Sequence, residues 1–472
     1  MAAAEQPPLA PTAETSGPSL PPRFEGLADL ARRGRASARA AALRVALAGL
    51  EAADAARATA NVVSFDGERL VVDGVEYPLA EDGKVIVVGA GKASLAIVET
   101  LEQILGARLD HGAVAVRAGE ERPLGRIEVL TADHPLPTDR SVVAAGRLLE
   151  LAAGAGERDI VIACFTGGSS SLACAPPPGV SGEDKRALHE LLLSSGMGIV
   201  EVNTVRKHVS AIKGGRLAAA THPARLVNLS VSDVAGDHLD AITDPSVPDS
   251  SRAEDAVATL NRYGLWDRIP DSVRDHLATE AAHSPELDES RIQSLLLATG
   301  ATACDAMALE ATALGLTPVT LSTTLEGEAR EVGRLLANLA RSSATGGSPF
   351  RPGTVLLGCG GESTVTLARE GSFGDGGPNQ EAAIAAALEL DGAPVAAVFL
   401  DTDGADGGTS HAGAVVDGLT ASQAREAGVD LREALAGHRS REAFEALGDA
   451  LVTGPTGTNV NDLFAIVVEG SP

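Results

Sequence analysis

Residues 84–94, Lys84-Val-Ile-Val-Val-Gly-Ala-Gly-Lys-Ala-Ser94, join a short aliphatic run to a helical pattern through two glycines. The aliphatic run is typical of a buried strand, and apolar residues recur at helical spacing from Leu95 to Leu105. Similar strand patterns recur along the chain, at residues 113–117, 159–165, 224–231, 293–298, 319–321, 354–358 and 394–400. Helical patterns separate most of them, and this alternation predicts an α/β fold with a parallel sheet covered by helices on both faces.

The chain is too long for one hydrophobic core, because its 472 residues exceed the size at which a single core stops growing. Two domains are therefore expected. The polar stretch around 270–295 contains Ser284-Pro285, which we interpret as a linker between domains at 24–285 and 286–472. Residues 1–23 are rich in Pro, Ala, Ser and Thr, which predicts a disordered tail. With aromatic residues at only 2%, the core is expected to consist of Ala, Val and Leu.

The composition argues against several kinds of partner. The formal net charge is −26, which argues against nucleic acid and anionic membranes because both need a cationic surface. No apolar run reaches membrane length, and the N-terminus lacks a secretory signal pattern. The four cysteines form no CxxC pair and are expected to be reduced and buried in a cytoplasmic protein. A small anionic substrate held by local cations is compatible with this charge, and the oligomeric state, a homodimer included, is left open.

Residues 201–217, Glu201-Val-Asn-Thr-Val-Arg-Lys-His-Val-Ser-Ala-Ile-Lys-Gly-Gly-Arg-Leu217, predict a helix that ends at Gly214-Gly215. Polar and cationic residues recur within it at spacings of three and four, which places them on one face of such a helix. They are Asn203, Arg206, Ser210 and Lys213. A plain solvated face is the alternative reading of this pattern.

Lysine is scarce in this chain, since only five of the 38 basic residues are lysines. Lys is a compact point charge and Arg a planar fork, so the two are not interchangeable. Three of the five lysines lie in glycine-rich or cationic motifs, and we interpret these three as residues retained for chemistry: Lys92, Lys207 and Lys213.

Polar or glycine-rich turns follow five of the predicted strands. They contain Gly89, Gly91 and Lys92; Gly167, Gly168 and Ser169; Asp233 and Asp237; Gly361 and Glu362; Asp403 and Asp406. In open α/β sheets ligands bind beyond the carboxyl ends of the strands, and glycines before helix N-termini favour anions. Cations, carboxylates and glycine loops together are the inventory for phosphoryl transfer with Mg²⁺. Each turn alone is also compatible with packing or Asx hydrogen bonds. The histidines His134 and His208 do not have the spacing of metal ligands.

Six segments resemble the glycerate 2-kinase family, whose C-terminal half is the MOFRL domain. They are Gly89-Ala-Gly-Lys-Ala-Ser94, Asp133-His-Pro-Leu-Pro137, residues 201–217, Ser232-Asp-Val-Ala-Gly-Asp237, Thr402-Asp-Gly-Ala-Asp-Gly407 and Gly454-Pro-Thr-Gly-Thr-Asn-Val-Asn-Asp462. The resemblance extends from residue 27 to the end of the chain. It implies an N-terminal Rossmann-like parallel sheet with flanking helices, a C-terminal MOFRL α/β domain, and an active site in the cleft between them. It also implies ATP-dependent phosphorylation of D-glycerate to 2-phosphoglycerate with Mg²⁺.

The resemblance also implies roles for individual residues. Lys92 matches the family's catalytic-site lysine, and Asp233 matches the aspartate of the strand-end Ser-Asp motif. With Arg206 and Lys213, which would grip the substrate's anionic groups, they form the predicted catalytic set. Asp233 and Asp237 are the predicted metal ligands, and whether Asp233 is a base or a ligand is left open. The predicted nucleotide-binding residues are Gly89, Gly91, Gly167, Gly168, Ser169, Ser170, Glu362, Asn379 and Asp403.

Three positions depart from the family pattern. Pro378 stands where the Gly-Gly-Arg-Asn-Gln-Glu motif has arginine, and proline cannot replace the charge of an anion clamp. Thr166-Gly-Gly-Ser-Ser170 replaces Ser-Gly-Gly-Gly-Ser, and Thr243-Asp-Pro-Ser246 brings a carboxylate to a Ser-Gly-Pro-Thr segment. That carboxylate is expected to weaken anion binding unless it coordinates metal. In a kinase, the cations of residues 201–217 must then supply more of the anion binding: Arg206, Lys213 and Arg216.

Three alternative functions follow from these observations. The loss of arginine at Pro378 is compatible with a kinase for another small hydroxy acid, or with a non-catalytic relative that binds a nucleotide or metabolite. Gly89-Ala-Gly-Lys92 is no P-loop, but it resembles the start of a dinucleotide fingerprint and so raises an NAD(P)H-dependent reductase. That fingerprint needs an acidic residue at the end of the next strand for NAD, whereas the strand at 113–117 ends in Arg117.

Overall fold

The computed structural model describes residues 24–234, 236, 239, 245–346, 348–367 and 373–469. The predicted tail at 1–23, the predicted metal ligand Asp237 and the Thr243-Asp244 pair lie outside the described residues. Within the described ranges, every helix is too short or too polar to cross a bilayer.

The described chain begins with three helices and a small antiparallel sheet. They are α1 (Leu27–Arg32), α2 (Ala36–Ala52), α3 (Ala55–Val62), β1 (Val63–Phe65), β2 (Arg69–Val72) and β3 (Val75–Pro78). Asp54 caps α3 by accepting the backbone N–H of Arg57 at 2.9 Å. Asp73 and Gly74 join β2 to β3 with φ angles of 47° and 76°, as a two-residue hairpin turn requires.

The next part of the chain builds a six-stranded sheet and the helices around it. Its elements are β4 (Val85–Ala90), α4 (Ser94–Leu105), β5 (His111–Arg117), β6 (Ile127–Ala132), α5 (Asp139–Ala153), β7 (Ile160–Phe165), α6 (Ser169–Leu172), α7 (Gly182–Leu193), α8 (Ile199–His208), α9 (Arg216–Thr221), β8 (Arg225–Val231), α10 (Ala253–Arg262), α11 (Asp271–Leu277) and β9 (Ile292–Ala298). The strand order is β6-β5-β4-β7-β8-β9, and all neighbouring strands are parallel. This is the Rossmann order, which reverses between β4 and β7, and it confirms the predicted parallel sheet.

The prediction of one helix from residue 201 to Gly214-Gly215 is wrong beyond His208. α8 ends at His208, and α9 begins only at Arg216. Between them the Ser210 hydroxyl accepts the backbone N–H groups of Ile212 and Lys213 at 3.3 and 3.2 Å, so a local turn replaces the helical hydrogen bonds. Gly215, with a φ of 75°, precedes the start of α9 instead of ending a helix.

The last part of the chain builds a second six-stranded sheet. Its elements are α12 (Gly300–Ala313), β10 (Thr317–Ser322), β11 (Gly327–Glu328), α13 (Ala329–Gly346), β12 (Thr354–Cys359), β13 (Ser363–Thr364), α14 (Pro378–Leu390), β14 (Val395–Asp401), β15 (Gly413–Asp417), α15 (Thr420–Glu426), α16 (Leu431–Ala436), α17 (Ser440–Leu447), β16 (Ala450–Leu451) and β17 (Asp462–Val468). The order is β10-β12-β17-β14-β15-β16. Only β10 and β12 are parallel, and the other neighbours are antiparallel. The expectation of parallel strands therefore fails in this half of the chain.

Each large sheet takes an element from the other side of the predicted domain boundary. β9 lies after residue 285, yet it pairs with β8 in the first sheet. α2 lies near the start of the chain, yet it packs against α12, β14 and β17. The guanidinium of Arg39 on α2 is fully buried there, 2.8 Å from Asp417 and 2.9 Å from Asp449. The division at 285/286 remains a prediction, and the two sheets are tied together across it.

The cores consist mainly of Ala, Val and Leu side chains, as predicted. β4, β7 and β12 are buried along their whole length. The helices α13 and α14 pack closely because Gly333 has no side chain, and a Cβ there would lie 2.1 Å from the carbonyl oxygen of Ala382. Small residues thus allow the close layer packing that the shortage of aromatic residues requires.

Candidate active site

The turns after β4 and β7 interlock at the point where the strand order of the first sheet reverses. Gly91 has a φ of 133°, and a Cβ there would lie 2.3 Å from the hydroxyl of Thr166. The backbone N–H of Lys92 donates to the carbonyl of Gly167 at 2.9 Å. The two turns can approach this closely because both carry glycine. They fix Lys92 at the position where ligands bind in this class of sheet.

Lys92 is joined to the second sheet by an ion pair. Its Nζ lies 2.6 Å from Oδ2 of Asp403, which follows β14. Burial lowers the pKa of Lys92, but the carboxylates of Asp403 and Asp401 outweigh burial and raise it above the usual value. Lys92 is therefore a permanent cation, suited to stabilising negative charge and not to accepting a proton.

Asp233 follows β8, and its carboxylate lies against Gly167 in the turn after β7. Its Oδ2 accepts a hydrogen bond from Asn459 Nδ2 at 3.1 Å. Gly167 leaves room for this carboxylate, because a Cβ on Gly167 would lie 2.0 Å from Oδ2. Burial raises the pKa of Asp233, against the opposing effect of Lys92. Asp233 is thus a stronger proton acceptor than a solvated aspartate.

Further carboxylates lie close to Lys92 and Asp233. Desolvation raises the pKa of Glu362, in the loop after β12, and of Asp401, and Asp403 adds to both shifts. Burial also raises the pKa of Asp462 to about 7. Such an excess of carboxylates over nearby cations fits a divalent cation that shares its coordination with substrate phosphates. In the part of the chain that the structure describes, no group of three or more acidic, His or Cys residues could hold a metal by itself.

Two predicted nucleotide-binding residues have structural contacts instead. A Cβ on Gly89 would lie 2.6 Å from the carbonyl of Cys164, so this glycine allows β4 and β7 to pack and does not line the cleft. Asn379 is buried, and its side chain donates to Asp406 and Asp462 at 3.2 and 2.5 Å. Asp406 also accepts the backbone N–H groups at the start of α14, which makes it an anchor for that helix.

A cleft of about 640 Å³ opens beside Lys92 and Asp403. Its walls are the first turn of α4, the end of β5 with the turn at 117–122, and the segment 453–458 between β16 and β17. Arg117 and Arg122 lie on this wall, paired with Glu120 and Glu99. The volume is in the range of small-molecule and cofactor sites, and Gly91 and Lys92 are part of the lining.

Gly168, Ser169 and Ser170 follow Gly167 directly and lead from the turn after β7 into α6. Gly168 has a φ of 83° and precedes α6, and a Cβ there would lie 3.5 Å from Lys92 Cγ. Ser169 is buried, and Ser170 is half-buried. Gly168 is therefore next to Lys92, and the nucleotide-binding role of these three residues remains a prediction; α6 has only four residues.

Four buried cationic or titratable side chains form a cluster around His189, and one of them, Lys213, is within electrostatic range of Asp233. Lys213 lowers the pKa of Asp233 and of His189, and Arg206 also lowers the pKa of His189. Burial lowers the pKa of Arg206 itself and lowers that of Lys185 to about 8. Arg206 and Lys213 are thus both close enough to His189 to affect its pKa, and Lys213 also affects that of Asp233, although the two cations do not share a helix.

Two other cations of the same segment have structural roles, which corrects the sequence interpretation. Lys207 forms a buried ion pair with Asp249 at 2.6 Å. Arg216 donates to the carbonyl groups of Lys213 and Ala282 at 2.9 and 3.0 Å, and so holds the turn between α8 and α9. Arg216 is therefore not available for the substrate contact that the missing arginine suggested.

His134 is a site residue that the sequence reasoning missed. A Cβ on Gly168 would lie 3.3 Å from its Cδ2. Burial, Lys92 and Arg117 lower the pKa of His134 to about 4, so its ring is neutral near pH 7. Its only signal in the sequence is the Asp133-His-Pro-Leu-Pro137 motif.

Pro378 is the first residue of α14 and follows Gly377. The first helical position needs no backbone N–H and favours the fixed φ of proline. The departure from the family motif therefore fits the helix, and it changes charge without changing the fold.

Comparisons with known proteins agree with this architecture. A family profile described as "Domain of unknown function (DUF4147)" matches residues 41–278, and the MOFRL family profile matches residues 355–462. A glycerate 2-kinase from Pyrococcus horikoshii is 40% identical over 90% of this chain and 96% of its own. A relative from Agrobacterium vitis, 42% identical over 87% of this chain and 92% of its own, has the provisional name hydroxypyruvate reductase. The crystal structure of a glycerate kinase from Thermotoga maritima superposes with a TM-score of 0.76 at 34% identity, covering 90% of this chain and 97% of its own. The chain belongs to the glycerate 2-kinase family.

Proposed function

We propose that this protein transfers the γ-phosphoryl group of ATP to the 2-hydroxyl of D-glycerate, forming 2-phosphoglycerate and ADP. The observation that carries the proposal is the position of Lys92. This permanent cation lies at the end of a cleft of about 640 Å³ and close to the proton acceptor Asp233. Phosphoryl transfer needs positioning and charge stabilisation more than covalent chemistry. Relatives named glycerate 2-kinase over most of the chain support the same reaction.

The cleft beside α4 is our proposed ATP site. Its end at Lys92 would hold the triphosphate, because a lysine and the N-terminus of a twelve-residue helix both attract anions. The segment 453–458 contributes three threonines, Pro455 and Gly457 to the wall. Gly167, Gly168, Ser169 and Ser170 would contact the phosphoryl group from the other side of Lys92.

The buried side of Asp233 is our proposed glycerate site. Arg206 and Lys213 would bind the carboxylate of D-glycerate, since Lys213 is within electrostatic range of Asp233 and both cations are within range of His189. Asp233 would then accept the proton of the 2-hydroxyl as that oxygen attacks the γ-phosphorus. The raised pKa of Asp233 supports this role, because a base works best when its pKa approaches the working pH.

Mg²⁺ belongs to the proposal through the chemistry of the carboxylates. Asp233 and Asp237 are its proposed ligands, together with phosphate oxygens of ATP. Glu362 and Asp403 are close enough to Asp233 to add negative charge there. When bound, Mg²⁺ would neutralise part of the phosphate charge. An Asp233→Asn variant separates the two proposed roles of Asp233. Loss of a base changes the pH profile of kcat, whereas loss of a ligand raises the Mg²⁺ concentration needed for half-maximal rate.

The proposal is tested by incubating purified protein with ATP, Mg²⁺ and D-glycerate and identifying the product by ³¹P NMR. We expect 2-phosphoglycerate and an equal amount of ADP. Parallel reactions with other small hydroxy acids, and with hydroxypyruvate plus NADH or NADPH, measure the competing activities. Faster turnover of another acid, or oxidation of NAD(P)H without any ADP formation, would refute the proposal.

The glycerate site has its own test in Arg206. An Arg206→Ala variant should raise the KM for D-glycerate by about 10²-fold, since a charged hydrogen bond contributes about 1.5–3 kcal/mol. The KM for ATP should stay the same, because the proposed ATP cleft lies on the other side of Lys92. An unchanged KM for glycerate would mean that α8 is only structural.

A further inference from the structure

Two of the four cysteines lie against each other beneath the loop that carries Glu362. Cys304 belongs to α12 and Cys359 ends β12, and their Sγ atoms are 2.8 Å apart. Both are free thiols with exposed fractions of only 1% and 2%. The Sδ atom of Met307 is 3.6 Å from the Cys359 Sγ. Because the two sulfur atoms are already this close, a bond between them needs only a small movement of the chain.

The residues after Cys359 connect this pair to the site. The backbone N–H of Gly360 donates to the carbonyl of Asp462 at 3.1 Å, and the N–H of Asp462 donates to the carbonyl of Gly361 at 3.0 Å. A Cβ on Gly300, the first residue of α12, would lie 2.5 Å from the Cα of Gly360. α12 therefore already touches the start of this loop, and a covalent bond from Cys304 would fix the two together.

We propose that Cys304 and Cys359 are a reversible oxidation site, closed to a disulfide by a hydroperoxide, and that the bond fastens the Glu362 loop to α12. One thiol attacks an oxygen of hydrogen peroxide, which gives a sulfenic acid and one water. The second thiol then attacks that sulfur, the S–S bond forms, and the departing hydroxide takes the thiol proton as the second water. The two sulfurs lose two electrons, and the peroxide accepts them. A dithiol reductant reverses the reaction.

The distance between the two sulfur atoms and their burial together affect the rate of this reaction. Closing the bond shortens the S–S distance from 2.8 Å to about 2.05 Å, which side-chain rotation and a small shift of α12 can supply. Burial and the hydrogen bond to Cys304 raise the pKa of Cys359, so little thiolate is present. We therefore expect oxidation under sustained peroxide and not in a brief pulse.

The test treats the full chain with hydrogen peroxide, alkylates remaining thiols after denaturation, and maps the peptides by mass spectrometry. We expect a Cys304–Cys359 cross-link that dithiothreitol removes. Amide hydrogen exchange at 359–363 should slow by about tenfold in the oxidised protein, because the loop opens less often. The kcat for glycerate phosphorylation should fall at least about threefold, since the loop that carries Glu362 is then held against α12 and cannot adjust to the substrates, and reduction should restore it.

Matched variants make the result decisive. Cys304→Ala keeps a helix-favouring residue on α12 and should lose both the cross-link and the slowed exchange, and Cys359→Ala repeats the test should the first variant be unstable. Cys164→Ala removes a buried thiol of β7 and should leave the cross-link intact. Both thiols alkylated after peroxide, a sulfinic acid at Cys359, or a cross-link without change in exchange or kcat would overturn the proposal. Mapping and exchange are independent of the kinase assay, so a failed kinase proposal would be recognised separately.

Discussion

Lys92→Met tests the centre of the proposed active site. The substitution keeps most of the length of the side chain and removes its charge. It breaks the 2.6 Å ion pair with Asp403 and leaves Asp233 and Asp401 without the cation that opposes their pKa rise. We expect phosphorylation to be nearly abolished while the protein stays folded.

The magnitude of the loss follows from the geometry. A unit charge about 4 Å from a developing negative charge contributes about 4 kcal/mol at an effective dielectric constant of about 20. Since about 1.4 kcal/mol corresponds to a tenfold change in rate, kcat should fall by about 10³-fold. Asp403 is only 8% exposed whereas Lys92 is 25% exposed, so solvent screening limits the loss in the free energy of unfolding to about 1–3 kcal/mol.

The assay couples ADP release to a spectroscopic signal at saturating ATP and D-glycerate, with urea unfolding on the same samples. Lys84→Met is the matched control, because Lys84 is an exposed lysine directly before the opposite end of β4. Its kcat and stability should equal those of the wild type. A folded Lys92→Met variant that keeps more than about a tenth of the wild-type kcat would refute the assigned role of Lys92 in charge stabilisation.

Three further changes test the geometry around this lysine and the fold that supports it. Gly167→Ala would put a Cβ 2.0 Å from the carboxylate of Asp233, so kcat, measured by ADP release, should fall by about 10²-fold in a folded protein. Arg39→Met removes the buried cation between Asp417 and Asp449 and leaves Asp449 with the more exposed Arg33 at 3.9 Å, so it should lower the free energy of unfolding in urea by about 3–5 kcal/mol. Urea midpoints should also fall as the pH rises from 4 to 7, because burial raises the pKa of Asp462 from 3.8 to about 7. In that window the folded protein keeps a proton that the unfolded chain has released, and stability falls by up to about 1.4 kcal/mol per pH unit.

Each of these predictions has a control within the chain. Gly146→Ala on α5 has nothing within 4 Å of its Cβ and should leave kcat unchanged. Arg44→Met breaks an exposed ion pair on the same helix as Arg39 and should cost less than about 1 kcal/mol. Asp462→Asn should flatten the pH dependence. Equal losses for the two arginines, or an unchanged pH slope in the asparagine variant, would contradict the reasoning.

The first sheet could be predicted from the sequence because its signals are local. The run at 84–94 shows a buried strand, a glycine turn and a helix in consecutive residues, and β4 and α4 occur where that pattern indicates. Strand direction in the second sheet could not be predicted. β14 is almost entirely buried and β17 nearly so, and a continuous apolar run looks the same in a parallel and in an antiparallel sheet.

The sequence predicted those site residues that follow strands. It did not predict the backbone where a side chain competes with the helix for hydrogen bonds. Lys92, Asp233 and Asp403 each follow a strand, and the structure brings them together. The helix over 201–217 fails because the Ser210 hydroxyl takes backbone N–H groups that a helix would use. The spacing of Arg206 and Lys213 predicted that they share a helix face, whereas in the structure Lys213 lies outside α8 and both cations act on His189. The burial of His134 depends on contacts distant in sequence, which spacing does not encode.

The ion pair of Lys92 explains how so acidic a site can bind a polyanion. With Asp403 already 2.6 Å from its Nζ, the charge of Lys92 is partly balanced before a phosphate binds, and Asp401 and Glu362 add repulsion. A nucleotide that arrives with a divalent cation brings the compensating charge itself, and the carboxylates then attract the complex instead of repelling it. The small anion needs the opposite arrangement, and in the proposed glycerate site Arg206 and Lys213 would supply it. The carboxylates would thus favour the metal-bound form of ATP, and the segment 201–217 would favour the free acid, on either side of one aspartate.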